Sequence, residues 1–277
     1  MGTPFNGIIL YERYIMKKLF LSTSSGFNWN TIRRWNLSGK NTGHDICNIL
    51  LNPDENLISE CIKNNVNYIP YGVQQTNKPP HNLRFLFQYK YLMSKLQEYS
   101  HVIVTDSKDV YFSTDPFPKL LEIMKKTDKK IVCGSESICY KDEFWGNGNL
   151  MEGFGYAYDE FKNNEICNVG VLCGETKAVA DLCLLIFTMC FHNPASVSDQ
   201  SSFNIIMGTE FGKNNIAMSR PSEGLMVHLG TVGVQKFRES LVEKPTWDET
   251  KMPNIDGNVI PIIHQYDRIN TSQWSLI

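Results

Sequence analysis

Nowhere does the chain approach the roughly 20 consecutive apolar residues that a membrane helix requires, so no membrane span is expected. Neither charge is in excess: 27 basic residues face 29 acidic ones, leaving a formal net charge of −2. A balanced chain exerts no generic pull on polyanions, which argues against nucleic acid or an anionic membrane as partner. The eight cysteines include no C-x-x-C pair, which leaves zinc and thioredoxin-type redox chemistry without support. Most lie on apolar runs and are expected as buried, reduced thiols, as in a soluble cytoplasmic protein. Repeats, low-complexity tracts and long linkers are missing, and 15 Phe, 12 Tyr and 5 Trp are too many aromatics for a disordered chain.

The first residues hold only Ile8–Leu10 as a continuous apolar run, with no positive segment before it, so no signal peptide is expected. Met1-Gly2 also lacks the following Ser or Thr that favours myristoylation. Residues 1–15 are expected to be an extension outside the fold, and 16–277 a single domain. A chain of 277 residues can bury a sizeable core without cross-links.

What is present is alternation. Lys18–Thr23 is a short apolar run ending in small polar residues, the profile of a buried parallel strand. Ile46–Leu51 and Val66–Ile69 repeat that profile, with a helix opened by Pro53 and Asp54 between them. The spacing of apolar residues predicts a helix over Arg84–Tyr99 leading into a strand at His101–Thr105. A helix at Pro116–Lys126 and a strand at Ile131–Gly134 follow. Tyr140–Tyr158 is aromatic, glycine-rich and read as a loop. Asn168–Cys173 reads as a strand, Glu175–Phe191 and Asp199–Gly208 as helices, and Val259–His264 as a late strand. Strands alternating with helices imply an α/β, Rossmann-like fold with a mostly parallel central sheet covered on both faces. Ligands of such sheets bind beyond the carboxyl ends of strands.

The window from His101 to Phe117 carries the most chemistry. A buried strand runs into Asp106 and Asp109, and carboxylates at a strand end are costly unless a cation or donors compensate. A hard divalent ion bridging carboxylate and diphosphate would do so. A turn in which Asp106 caps backbone amides and Asp109 is solvated is the plain alternative.

The segment Val104-Thr105-Asp106-Ser107-Lys108-Asp109-Val110-Tyr111-Phe112, followed by Asp115-Pro116-Phe117, resembles the metal and nucleotide motif of GT-A glycosyltransferases. It is most similar to a subgroup that includes enzymes of large algal DNA viruses that glycosylate capsid proteins. Arg84-Phe85, Asn168-Val169-Gly170, Asp199-Gln200 and His264–Arg268 occur in the order that group shows, so the resemblance spans Lys18–Arg268. The commonest pattern of the family has one residue between its aspartates; this chain has two.

The resemblance implies metal-dependent transfer of a sugar from a nucleoside-diphosphate donor to a hydroxyl of a glycan or glycoprotein acceptor. It implies Mn²⁺ or Mg²⁺ held by Asp106, Asp109 and His264, with Asp106 also reaching the nucleotide. Neutral imidazole suits such ions, although a lone strand-end histidine is ordinarily just hydrogen-bonded. Arg268 is expected on the diphosphate or in a surface salt bridge with Asp267. Asn168 and Gly170 would meet the donor sugar, or be an edge-strand Asn and a bulge Gly. Asp199 is the candidate base, with Gln200 beside it, or a helix cap. Ser22, Thr23 and Ser24, placed after the first strand, are candidates for the nucleotide, as is Arg84, which could equally pair with Asp106. Trp29, Trp35 and Trp145 stand in polar stretches as stacking candidates or packing residues. Two other classes compete: a non-catalytic binder of carbohydrate or nucleotide sugar, and a phosphatase of the aspartyl-phosphate type.

Overall fold

The computed structural model describes residues 16–74, 78–248, 250–274 and 276; the expected extension over residues 1–15 lies outside them. The first half comprises β1 (Lys17–Ser25), α1 (Trp29–Asn41), β2 (Asp45–Leu51), α2 (Glu55–Lys63) and β3 (Tyr68–Tyr71). It continues with α3 (Pro80–Ser94), β4 (Tyr99–Thr105), β5 (Val110–Phe112), α4 (Phe117–Thr127) and β6 (Ile131–Cys139). There follow α5 (Phe144–Phe154), α6 (Tyr158–Phe161), β7 (Glu165–Glu175), α7 (Thr176–His192), α8 (Asp199–Gly208) and α9 (Glu210–Asn215). The chain closes with β8 (Ile216–Ser219), β9 (Met226–His228), α10 (Leu229–Val232), β10 (Asn254–Ile255), β11 (Asn258–Val259) and β12 (Ile262–His264).

Seven strands form one sheet in the order β3-β2-β1-β4-β7-β6-β8. All run the same way except β7, which is antiparallel to both neighbours. Alternate residues of each strand face opposite sides. Leu19, Leu21, Val102 and Val104 pack against α3, α7 and α8, while Phe20, Ile103 and Val132 pack against α1, α2 and α4. Burial on both faces is why these strands read as continuous apolar runs. The expected α/β architecture, mostly parallel with helices on both faces, is the one that forms. All eight cysteines are unpaired, and all but Cys139 are buried. No helix among the described residues is long and apolar enough to cross a membrane.

Several local expectations need correction. β1 runs to Ser25 because Ser24 and Ser25 still pair with Leu50 and Leu51, so Ser22, Thr23 and Ser24 lie inside the strand and not after it. The helix expected at Arg84–Tyr99 is shifted to Pro80–Ser94, since Pro80 fits a first turn and Tyr99 already belongs to β4. The stretch after β1 is the helix α1, capped by Asn28 on Thr31 N. The segment Tyr140–Tyr158 is largely helical, because the Glu143 carboxylate accepts from the amides of Trp145 and Gly146 and starts α5 despite its glycines.

A second sheet of three strands, β5-β12-β9, stands beside the main one. Its register sets His264 opposite Val110 on one side and His228 on the other. The amide of Gln265 donates to the Asp109 carbonyl at 2.7 Å.

Candidate active site

Asp106 leaves the carboxyl end of β4 with its amide donating to the Gly170 carbonyl at 2.9 Å. Asp109 follows just before β5, and β12 carries His264 to meet them. His264 Nε2 lies 3.6 Å from Asp106 Oδ2 and 3.5 Å from Asp109 Oδ1. One ligand atom from each of the three falls within a 4.8 Å span. Two carboxylates and an imidazole at this spacing form a donor set that fits a divalent cation. Burial pushes the Asp109 carboxyl up, but His264, then Arg268 and Lys108, outweigh it and hold the group below its ordinary value.

Gly170 is where this cluster is most crowded, with His264, Asp106 and Asn168 all against its Cα. Opposite it, β7 bulges: Leu172 pairs with Cys133 but Asn168 with Gly134, so β7 parts from β6 over the intervening residues. Asn168 is thus a central-strand residue, not an edge one. Its Oδ1 accepts from the Gly170 amide and its Nδ2 donates to Glu136 Oε1, both at 2.7 Å.

Arg84, on the second turn of α3, joins two carboxylates. Nη1 contacts Asp106 Oδ1, and Nη2 donates to Asp199 Oδ2 at 3.0 Å. Asp199 is the first residue of α8; its Oδ1 accepts from the Gln200 amide at 3.0 Å, so it caps the helix only locally. Asp106, Asp109, Asn168, Gly170, Asp199, Gln200, His264, Arg84 and Arg268 all line one cleft of about 610 Å³. Arg268 is half-exposed and keeps its salt bridge to Asp267 at 3.3 Å, so both roles expected for it are geometrically open.

The serine cluster behaves differently. Ser22 is wholly buried, and neither its hydroxyl nor that of Thr23 has a partner among the described residues. Ser24 donates to Asn48 Oδ1 and shares a 2.7 Å hydrogen bond with Ser107, next to Asp106. Ser24 lines a smaller cavity of about 200 Å³ with Asn28, Asn52 and Asp54. Trp35 is buried and donates to Thr105 Oγ1 at 2.6 Å, a packing role. Trp29 packs partly against the α1 side of the core. Trp145 is half-exposed and lines the main cleft.

Three cleft or near-cleft groups were not singled out from the sequence. Glu136 is 4% exposed, and burial raises its carboxyl to about 7, against weaker opposing pulls from Asn168, His264 and Gln200. Ser137, which follows it, adopts a left-handed φ of 54° where β6 irregularly parts from β7. His81 lines the cleft near Arg84, and burial followed by that guanidinium holds its pKa down. His228 lies behind His264, with the two Nδ1 atoms 2.9 Å apart. Glu136 stands between two serines and His228 ends an apolar run, and only the tertiary fold gives them neighbours.

No family model matches the chain, and no curated protein matches it significantly. Among solved structures, it is similar to a glycosyltransferase involved in glycosylation of the major capsid of PBCV-1. That likeness has 12% identity and a TM-score of 0.44, covering 93% of this chain and 95% of that one. Mouse xyloside xylosyltransferase 1 is similar at 8% identity and a TM-score of 0.49, covering 92% and 99%. A CMP:2-keto-3-deoxy-manno-octonic acid synthetase complexed with CTP is similar at 9% identity and a TM-score of 0.43, covering 74% and 89%.

Proposed function

We propose that this chain transfers a sugar from a nucleoside-diphosphate donor to a hydroxyl of a glycan or glycoprotein, with Mn²⁺ or Mg²⁺ held by Asp106, Asp109 and His264. The observation that carries this reading is the coupling of two acidic centres in one cleft. The Asp106–Asp109–His264 cluster is tied through Arg84 to the carboxylate of Asp199. A divalent cation at the cluster would stabilise the charge that develops on the departing diphosphate. Arg268, on the rim of the same cleft, presents a guanidinium suited to phosphate oxygens.

Asn168 uses one N–H on Glu136 and keeps a second for a sugar hydroxyl. Asp199 is available at the cleft wall to accept the acceptor's proton or to orient a hydroxyl, with Gln200 beside it. Ser24 and Ser107 link the smaller cavity at the ends of β1 and β2 to the Asp106 turn, which suits the nucleoside portion of a donor. An aspartyl-phosphate phosphatase is disfavoured at Asp106, whose Oδ1 is engaged by Arg84 and whose Oδ2 faces His264.

A thermal-shift screen of UDP-, GDP- and dTDP-sugars, each with and without Mn²⁺, tests the reading, because a specific ligand raises Tm by mass action. The expected result is one donor whose stabilisation depends on Mn²⁺, with hydrolysis of that donor on incubation. Stabilisation without hydrolysis or transfer would favour a non-catalytic binder. No response to any donor or metal would reject the assignment.

A further inference from the structure

Resting on the metal reading above, we propose that His228 is a positioning residue that selects which tautomer His264 presents to the cation. His228 sits on β9, the parallel neighbour of β12, in register with His264. The rings are nearly perpendicular at 81°, with their Nδ1 atoms 2.9 Å apart. The other ring nitrogen of His228, Nε2, is buried with no partner among the described residues. A Cβ at Gly134 would lie 2.0 Å from that nitrogen, so the backbone of β6 closes against the ring and leaves it little room to turn.

A fully buried imidazole with one hydrogen-bond partner is an expensive way to fill space, since an apolar side chain would avoid the desolvation. Its single bond is therefore the informative feature. At 2.9 Å, two neutral rings place one proton between their Nδ1 atoms. If His228 donates it, His264 accepts and carries its own proton on Nε2, aimed at Asp106 and Asp109. If His228 accepts it, His264 is protonated at Nδ1 and its Nε2 lone pair faces the two carboxylates. The second arrangement is the one a cation needs. The two forms hold the same number of protons, so the pair can present either face of His264 without either ring becoming charged. Partners of this kind orient metal-binding histidines generally and fix their tautomer.

The test is a Mn²⁺ titration followed by electron paramagnetic resonance, on wild type, His228→Leu and His228→Asn at one pH, with folding checked by Tm. Asn can place its Oδ1 close to the Nδ1 position and restore an acceptor. His228→Leu should bind Mn²⁺ about 10–100-fold more weakly, the usual loss for such partners, and His228→Asn should recover most of the affinity. A folded His228→Leu that binds as tightly as wild type overturns the proposal. So does a folded His228→Asn as weak as the leucine variant. Should the leucine variant not fold, ¹⁵N NMR of wild type with Mg²⁺ decides. His228 must then carry its proton on Nε2, and a Mg²⁺-loaded protein with His228 still protonated at Nδ1 overturns the proposal. Wild type taking up neither Mn²⁺ nor Mg²⁺ is a separate result, which removes the metal site itself and this inference with it.

Discussion

A Cβ on Gly170 would lie 2.6 Å from Cε1 of His264. The same atom would meet Asp106 Oδ2 at 2.7 Å and Asn168 Oδ1 at 2.9 Å, so one methyl group would press on three polar side chains at once. The absence of a side chain makes room for the cluster's own residues, not for a ligand alone. Gly170→Ala should destabilise the fold by about 1–3 kcal/mol, the usual cost of overpacking. It should also abolish any stabilisation by Mn²⁺. Urea denaturation with and without Mn²⁺ measures both effects, and a wild-type metal response would show that the cluster tolerates the methyl group.

Arg84 carries two ion pairs on one nearly buried side chain. Its side chain is 12% exposed, and those of Asp199 and Asp106 are 8% and 30% exposed. Removing the cation leaves Asp199 as an unpaired buried charge, which ordinarily costs about 3–5 kcal/mol; the part due to Asp106 is smaller because water reaches it. Arg84→Met should therefore lose about 3 kcal/mol. Adding Asp199→Asn should restore part of it, and a double-mutant cycle reads the coupling. Strictly additive losses would mean that the pair does not interact in solution.

Glu136 should make stability depend on pH in a specific window. Its carboxyl is raised from 4.5 to about 7 in the fold, so folding favours the protonated form. The stability that this supplies is complete below pH 4.5 and is lost as pH rises through 7. At 1.36 kcal/mol per unit the loss is about 3 kcal/mol. Glu136→Gln should match wild type near pH 4.5 and exceed it at pH 8. Parallel stability curves for the two proteins across that range would contradict the shift.

Asp199→Asn should lower sugar transfer at least tenfold with little change in donor affinity; a full general-base role would be worth roughly 10²–10⁴-fold. Kinetics and calorimetry separate the two quantities. Product stereochemistry, read by NMR, then assigns the role: inversion keeps Asp199 as base, whereas retention leaves it an orienting group. An unaltered rate removes it from the mechanism.

The sheet was legible because its strands are buried on both faces, and Asp199–Gly208 matches α8 end to end. The α1 helix escaped notice because much of its sequence is polar, and only Ile32 and Trp35 supply large, fully buried anchors. The reach of β1 to Ser25 was hidden for a related reason: serine in a central strand looks like the start of a loop until its neighbours are known. Asp106, Asp109 and His264 were recoverable as residue types at strand ends. Glu136 and His228 were not, since their significance lies in contacts across the fold: the hydrogen bond from Asn168 Nδ2 and the imidazole pair.

The position of β12 also sets a timetable. Arg84, Asp106 and Asp109 are made before β12, and the seven-stranded sheet has all its strands once Ser219 is made. His264 arrives only with β12, which slots between two strands already present. A ribosome-bound chain halted before Ile262 would hold the principal sheet and both aspartates yet lack the imidazole that completes the triad. The three-residue cluster is thereby assembled only after β12 has been translated, and chains terminated before it lack the imidazole.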